Sequence, residues 1–333
     1  MNDPTALSDI TFCPELSFEE KVIRVLNFQL KENPVYRTFY ETLIGQKQPP
    51  EDILEIPLLP IRAFSVRKIV AGTLDTKSTP LIFKSSGTSG SRRSTHVVAD
   101  PALYERSVVK EFYRHFPSDQ YTLISALPGY RDNPNSSLVH MIRHLIQQDP
   151  LSRMILQFDP EVLQGIEKIA AAGKKWILFG AAFGLLDLIE QGLPEFSTPP
   201  EIIETGGMKT YRREISKGDL RNRLSEAFQI SSKYVHSEYG MCELLSQMYA
   251  IGSEWFGAPP WVQVTIRNPD NPMELCEPGT EGKIGIIDLA NIYSCPFILT
   301  DDRGVMREDG KFRVLGRWNQ DDLRGCNFLI DRD

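Results

Sequence analysis

The sequence predicts an α/β fold in which mainly parallel sheets are flanked by helices and followed by a smaller β-rich, barrel-like portion. Three observations carry this expectation. Strand-like apolar runs recur at residues 121–127, 154–158, 176–179, 202–204 and 234–236, with helical patterns between them. Strand–helix alternation of that kind is the pattern of parallel sheets. After about Trp255 the helical patterns stop, and short strand-like runs follow at 262–267, 283–289, 296–300 and 312–315. Such a succession suits a compact antiparallel portion. Finally, 333 residues suffice for a large core in one large or two moderate domains.

The elements can be justified in order. Ser17 and Glu20 form a capping box, which opens a helix running through about Leu30. Residues 46–60 are rich in proline and read as an extended crossing segment. The apolar run Leu81-Ile82-Phe83 reads as the end of a strand. Asp100-Pro101 starts a helix with Val109, Phe112, Tyr113 and Phe116 on one face. Ser136 caps another, with Leu138, Met141, Ile142 and Leu145 facing inward. There is no internal repeat and no low-complexity tract.

Composition removes several function classes. The net charge of −7 gives no support for nucleic-acid binding. No run approaches the roughly 20 apolar residues of a membrane span. Met1-Asn2-Asp3-Pro4 has neither a basic flank nor an apolar core, so no signal peptide is expected. The five cysteines, at 13, 242, 276, 295 and 326, are odd in number, scattered and without CxxC spacing. They suggest free thiols in a reducing cytoplasm.

Directly after Phe83-Lys84, positions 85 to 90 are Ser85, Ser86, Gly87, Thr88, Ser89 and Gly90, with Arg92 and Arg93 just behind. Small hydroxyl residues and glycines let a backbone curl and aim N–H and O–H groups at one point, which suits a triphosphate. The stretch lacks the Gly-Lys-Ser/Thr ending of a P-loop, and by itself is equally a plain flexible loop. Four further sites follow. Glu204-Thr205-Gly206-Gly207-Met208 puts two glycines after a buried strand, where a flat ligand can lie on the backbone; a simple strand-to-helix turn looks the same. In Glu238-Tyr239-Gly240-Met241-Cys242-Glu243 the aromatic-Gly turn can stack on a base and Glu243 can hold a hard cation, or the segment is a surface turn. Thr300-Asp301-Asp302 offers a carboxylate to a ribose, or is an Asp-rich turn. Gly316-Arg317 offers a cation to ribose or phosphate, and Cys326 lies between Gly325 and Asn327. Most such cysteines are inert small hydrophobes.

The order of these sites resembles the adenylate-forming superfamily of acyl-CoA synthetases, firefly luciferase and peptide-synthetase adenylation domains. A narrower similarity covers almost the whole chain. Pro57-Leu58-Leu59-Pro60-Ile61, Leu127-Pro128-Gly129-Tyr130, Phe179-Gly180-Ala181-Ala182-Phe183, Gly206-Gly207-Met208-Lys209 and Arg324-Gly325-Cys326 resemble the LuxE-type acyl-protein synthetases, the fatty-acid-activating component of bacterial bioluminescence. The resemblance implies the N-terminal-domain architecture of the superfamily over residues 1–316, β-rich from about 255. It further implies that the superfamily's small C-terminal domain is absent, and that a tail, 317–333, carries Cys326. It implies ATP and Mg²⁺ as cofactors and a carboxylic acid, by family default a long-chain fatty acid, as substrate. In this scheme the 85–90 loop and nearby arginines hold the departing phosphates and Glu243 binds Mg²⁺. Tyr239 and Gly206-Gly207-Met208 frame adenine, and Asp302 and Arg317 hold the ribose. Cys326 attacks the acyl-adenylate, and the acyl group passes to an acyl-CoA reductase-like partner. The acid pocket is expected between the 121–138 and 206–243 regions.

The chain departs from the superfamily pattern in three places. Cys242 stands where Tyr-Gly-x-Thr-Glu has threonine, Asp301 where Thr-Gly-Asp has glycine, and Asn319 where Gly-Arg-x-Asp has its acid. Two other functions stay open on the sequence: a CoA or carrier-protein ligase, and a non-catalytic nucleotide-binding subunit.

Overall fold

The computed structural model describes residues 4–45, 50–72, 79–85, 93–127, 133–206 and 215–318. Three helices open the chain: α1 (Pro4–Ile10), α2 (Phe18–Glu32) and α3 (Pro34–Ile44). The expected capping box is present, with Ser17 Oγ accepting from Glu20 N–H and Glu20 accepting from Ser17 N–H. The sequence placed no helix at α3, although its signal is present. Asn33 ends α2 and at the same time caps α3, accepting from the N–H groups of Val35 and Tyr36, with Pro34 in the first turn. The crossing segment then supplies β1 (Leu59–Pro60) and the short α4 (Ala63–Val66). A hairpin follows, β2 (Leu81–Lys84) and β3 (Thr95–Val98).

The alternating part runs α5 (Pro101–His115), β4 (Tyr121–Ala126), α6 (Ser137–Ile146), β5 (Arg153–Ile155), α7 (Pro160–Ala171), β6 (Lys175–Ala181), α8 (Ala182–Gln191), β7 (Glu201–Thr205), α9 (Lys217–Ala227), β8 (Val235–Tyr239) and β9 (Met248–Ala250). Its six strands lie in the order β5-β4-β6-β7-β8-β9, parallel throughout except for the last pair. The final part is antiparallel: β10 (Val262–Arg267), β11 (Gly282–Asp288), β12 (Phe297–Met306) and β13 (Phe312–Arg317). There β1 adds in parallel beside β12.

Side-chain alternation explains why the parallel strands read as continuous apolar runs. Ile177, Phe179 and Ile203 point into a core shared with α5, α6 and the antiparallel sheet. Trp176, Leu178 and Ile202 point the other way, against α7, α8 and α9. Both faces are therefore dry, as parallel sheets covered by helices require. The strands expected at 154–158 and 234–236 are displaced. β5 starts earlier and is shorter, and β8 continues to Tyr239 because Ile202 to Thr205 of β7 pair with it through Glu238. The inward face of α5 is also turned by about one residue: Leu103, Tyr104, Val108 and Phe112 are buried, while Val109 and Tyr113 are only partly covered. In α6 it is Val139 that joins Met141, Ile142 and Leu145 in the core, with Leu138 partly buried. No described helix is long and apolar enough to cross a membrane. Cys13, Cys242, Cys276 and Cys295 are free thiols, as expected.

Trp176 is the largest fully buried side chain, edge-on to Phe158, with its indole N–H donating to Thr198 O at 2.7 Å. Trp176→Ala should lower stability by about 3–5 kcal/mol, read as a shift of the urea midpoint at unchanged slope. A loss below about 1 kcal/mol would contradict its place in the core.

Candidate active site

All parallel strands deliver their C-terminal ends to one edge of the sheet, where ligands of open α/β sheets bind. The reversal of strand order falls between β4 and β6. Two of the expected sites sit at this edge. β7 ends in Thr205-Gly206 and β8 in Glu238-Tyr239, with Thr205 opposite Glu238 in register. Gly206 has φ +81°, a left-handed conformation that disfavours any residue with a Cβ.

Tyr239 reaches across to the antiparallel sheet. Its phenol donates to Asp302 Oδ2 at 2.8 Å, and Arg317 Nε donates to Asp302 Oδ1 at 3.1 Å. Asp302 and Arg317 are direct partners in the β12–β13 ladder. Burial pushes the Asp302 carboxyl up from its ordinary value, while Arg317 and the Tyr239 phenol pull it back in part. The Tyr239 phenol is pushed well up by burial and by Asp302. Three residues from three sequence motifs therefore form one hydrogen-bonded trio. The Arg317 side chain is 56% exposed, so its remaining N–H groups face outward.

Glu243 lies on the loop that follows Tyr239, and that loop is held by buried polar groups the sequence did not single out. Asp288 accepts from Leu245 N–H at 2.8 Å, Ser246 Oγ at 2.6 Å and Ala290 N–H at 3.0 Å. The Asn291 amide donates to Glu243 O at 2.8 Å. His96 bridges the loop to the hairpin: Nδ1 is 2.6 Å from Cys242 O and Nε2 is 3.1 Å from Asn291 Oδ1. Burial pushes the imidazole pKa down against these contacts and the nearby Glu243 charge. At Cys242, which departs from the superfamily pattern's threonine, the thiol is buried; burial, then the neighbouring Glu243 charge, push its pKa up. Among the described residues no three His, Cys, Asp or Glu groups cluster as a metal site. Glu243 itself is buried; a carboxylate oxygen is the donor type that hard cations take.

A pair of buried carboxylates, Glu204 and Glu238, was given no role by the sequence, although each stands within a quoted motif. Glu204 is almost fully buried and takes both oxygens to Lys217 Nζ at 2.7 Å, while Ser237 Oγ donates to it at 2.5 Å. Lys217 also donates to Gly206 O at 3.1 Å, fixing the turn after β7. Beside it, Glu238 accepts from the Thr205 hydroxyl. A Cβ at residue 240 would meet Glu238 Oε1 at 2.5 Å, so a larger residue there would displace that carboxylate. Burial raises the Glu238 carboxyl to about 7; Thr205 and Lys217 oppose the shift and the Glu204 charge adds to it.

Of the expected phosphate loop, Ser85 is placed at the base of the hairpin, its Oγ accepting from Ser94 N–H at 3.0 Å. Ser86, Gly87, Thr88, Ser89, Gly90, Gly207, Met208 and Cys326 lie outside the described residues.

With this geometry in hand, the chain can be set beside known proteins. A family model described as acyl-protein synthetase, LuxE, matches residues 139–333. The long-chain-fatty-acid–luciferin-component ligase of Vibrio harveyi is 25% identical over 325 residues, covering 90% of this chain and 83% of that protein. Among solved structures, an open conformation of 2-hydroxyisobutyryl-CoA ligase with 2-HIB-AMP and CoA superposes with a TM-score of 0.62 at 13% identity, over 88% of this chain and 72% of that one. This likeness shows the fold. ATP-bound MatB from Rhodopseudomonas palustris matches with a TM-score of 0.49 at 19% identity, over 71% of this chain; the chain spans 47% of that protein's length.

The Glu238 carboxyl generates a pH prediction. Because its folded pKa lies above its unfolded value of 4.5, its stabilising contribution is full below about 4.5 and is lost as pH rises through about 7. Denaturant unfolding of the wild type between pH 5 and 8 should therefore show a decline that Glu238→Gln flattens. An identical pH dependence in both proteins would remove Glu238 as the titrating group.

Proposed function

The chain belongs to the LuxE family of acyl-protein synthetases, and we propose that it activates a carboxylic acid with ATP as an acyl-adenylate and then receives the acyl group on Cys326 as a thioester. The observation that supports this best is the Tyr239–Asp302–Arg317 trio. It gathers three residues, each expected at the nucleotide, at the ligand-binding edge of the parallel sheet.

The chemistry explains the residue types. A carboxylate is a poor electrophile because oxide would have to leave, and coupling to AMP supplies a good leaving group. One carboxylate oxygen attacks the α-phosphorus while the bond to the bridging oxygen breaks and pyrophosphate departs. Two anions meet in this step, so catalysis depends on placing positive charge and hydrogen-bond donors rather than on covalent help. The loop 85–90 with Arg92 and Arg93 holds the departing phosphates. Gly206-Gly207-Met208 and Tyr239 frame the adenine. Asp302 accepts from the ribose hydroxyls, with Arg317 orienting it and reaching the sugar or phosphate. Glu243 would hold Mg²⁺, which when bound neutralises phosphate charge. Asn291 and Asp288 keep that carboxylate in place.

In the second step the Cys326 thiolate attacks the carbonyl carbon, the bond to the AMP oxygen breaks, and AMP leaves. Arg324 stands two residues from Cys326 in the sequence, and a cation close to the thiol would favour attack as the thiolate. The enzyme then hands its acyl group to an acyl-CoA reductase-like partner. The name of the Vibrio harveyi relative supports a long-chain fatty acid as the substrate. Free thiols at Cys13, Cys242, Cys276 and Cys295 support a cytoplasmic location. Residues 1–316 serve as the adenylating unit and 317–333 as the acyl-carrying tail.

One two-armed experiment separates the steps. With a series of labelled acids, Cys326→Ser should keep acid-dependent pyrophosphate exchange and lose acylation of the protein. Glu243→Gln should lose most of the exchange itself. If Cys326→Ser still acylates, the acceptor is another thiol; release of acyl-CoA on adding CoA would identify a CoA ligase instead. Unchanged exchange in Glu243→Gln would remove the metal role.

A further inference from the structure

A groove of about 450 Å³ is lined by α4 and by residues of β2 and β3. It arises from strand alternation. Phe83, His96 and Val98 point inward, so Ile82, Thr95 and Val97 are left to line the other face. Phe64 and Val66 of α4 form the opposing wall. Ile82 is 44% and Val66 56% exposed, unusual for large apolar side chains standing together.

The charge of this groove is as unusual as its exposure. Arg67, Lys68 and Arg93 line it, and among the described residues no acid does. Among the described residues none of the three cations has an ion pair or a side-chain hydrogen bond. The chain as a whole is acidic, at −7. Apolar walls rimmed by cations select an occupant that is apolar and acidic together.

The last described residue is tied to the groove's wall. Trp318 N–H donates to Asp301 O at 2.9 Å. Asp301 is paired with Arg62 Nε at 2.7 Å, and Arg62 immediately precedes α4, the groove's wall. Beyond Trp318 the sequence holds Asp321, Asp322, Asp331 and Asp333 around the apolar triplet Phe328-Leu329-Ile330. Phe328 lies ten positions beyond Trp318, a reach of up to about 33–36 Å when extended. Tethering of this kind acts as an effective concentration in the millimolar range, so modest contacts suffice.

We propose that residues 319–333 dock in this groove, with their aspartates on Arg67 and Lys68 and Phe328-Leu329-Ile330 against Val66 and Ile82. Docking holds Cys326 beside the hairpin that carries the phosphate loop, and it limits how far the thiol strays between adenylation and acyl hand-over. The consequence for Cys326 rests on the proposed function; the docking itself does not.

The test uses the full chain with a benzophenone amino acid at Val66 or Ile82, and at Leu275, exposed in the antiparallel part, as the control. After irradiation, mass spectrometry should map adducts from positions 66 and 82 to peptides of 319–333, and none from 275. Arg67→Glu with Lys68→Glu should cut that yield several-fold and slow acylation of the protein, while acid-dependent pyrophosphate exchange stays unchanged. Adducts that fail to reach the tail, that arise equally from 275, or that join two chains in a mixture of heavy- and light-isotope protein would overturn the proposal. An unaffected cross-link in the charge-reversal variant would also overturn it. Loss of exchange in the wild type would count against the proposed function alone, because cross-linking needs no turnover.

Discussion

The buried carboxylate of Asp302 is the constraint on which the rest of the site depends. A carboxylate taken out of water costs several kcal/mol unless partners satisfy it. Asp302 finds one partner on the parallel sheet, the Tyr239 phenol, and the other on its own antiparallel sheet, Arg317. Satisfying it therefore fixes the end of β8 against β12 and β13. The aromatic packing of Tyr239 on Phe256 and Phe312, each with ring centroids 5.8 Å away, closes the same joint from the apolar side. A nucleotide held here touches both sheets because the protein has already joined them.

The loop carrying Glu243 obeys the same logic one layer deeper. Its backbone leaves the regular ladder, so its N–H and C=O groups need side-chain partners. Asp288 takes two of its N–H and O–H donors, and Asn291 and His96 take two of its carbonyls. Since His96 belongs to β3, the metal-binding candidate is tied to the hairpin whose connection is proposed to hold the phosphates. Positions about 150 residues apart in sequence thus share one rigid frame, the preorganisation that charge-stabilising catalysis requires.

Much of this was legible in the sequence, for identifiable reasons. The alternation of strands and helices follows from apolar runs that must be dry on both faces, and the caps at Ser17, Asp100 and Ser136 stand where they were read. Tyr239, Asp302 and Arg317 were separately legible because each sits in a short motif at a strand end. Their mutual bonds were not, since nothing local reports that β8 will face β12. The helper residues were hidden for a different reason. Asp288, Asn291 and His96 lie in ordinary apolar or turn contexts, and their hold on the 242–246 loop comes through contacts across 42 to 146 positions. Glu238 and Glu204 were within motifs already quoted, but a carboxylate's burial cannot be read from its neighbours in sequence. Boundaries slipped where pairing extends a strand past its apolar run, as at β8 and β12.

The central claim is that the Asp302 carboxylate, held between Tyr239 and Arg317, receives the ribose hydroxyls of the nucleotide. Calorimetric titration with AMP and with 2′,3′-dideoxy-AMP measures this most directly. The wild type should prefer AMP by about tenfold, the size of a hydrogen bond to a charged acceptor. Asp302→Asn should bring the ratio close to one, with adenine contacts intact. A preference for AMP that survives unchanged in Asp302→Asn would contradict the account.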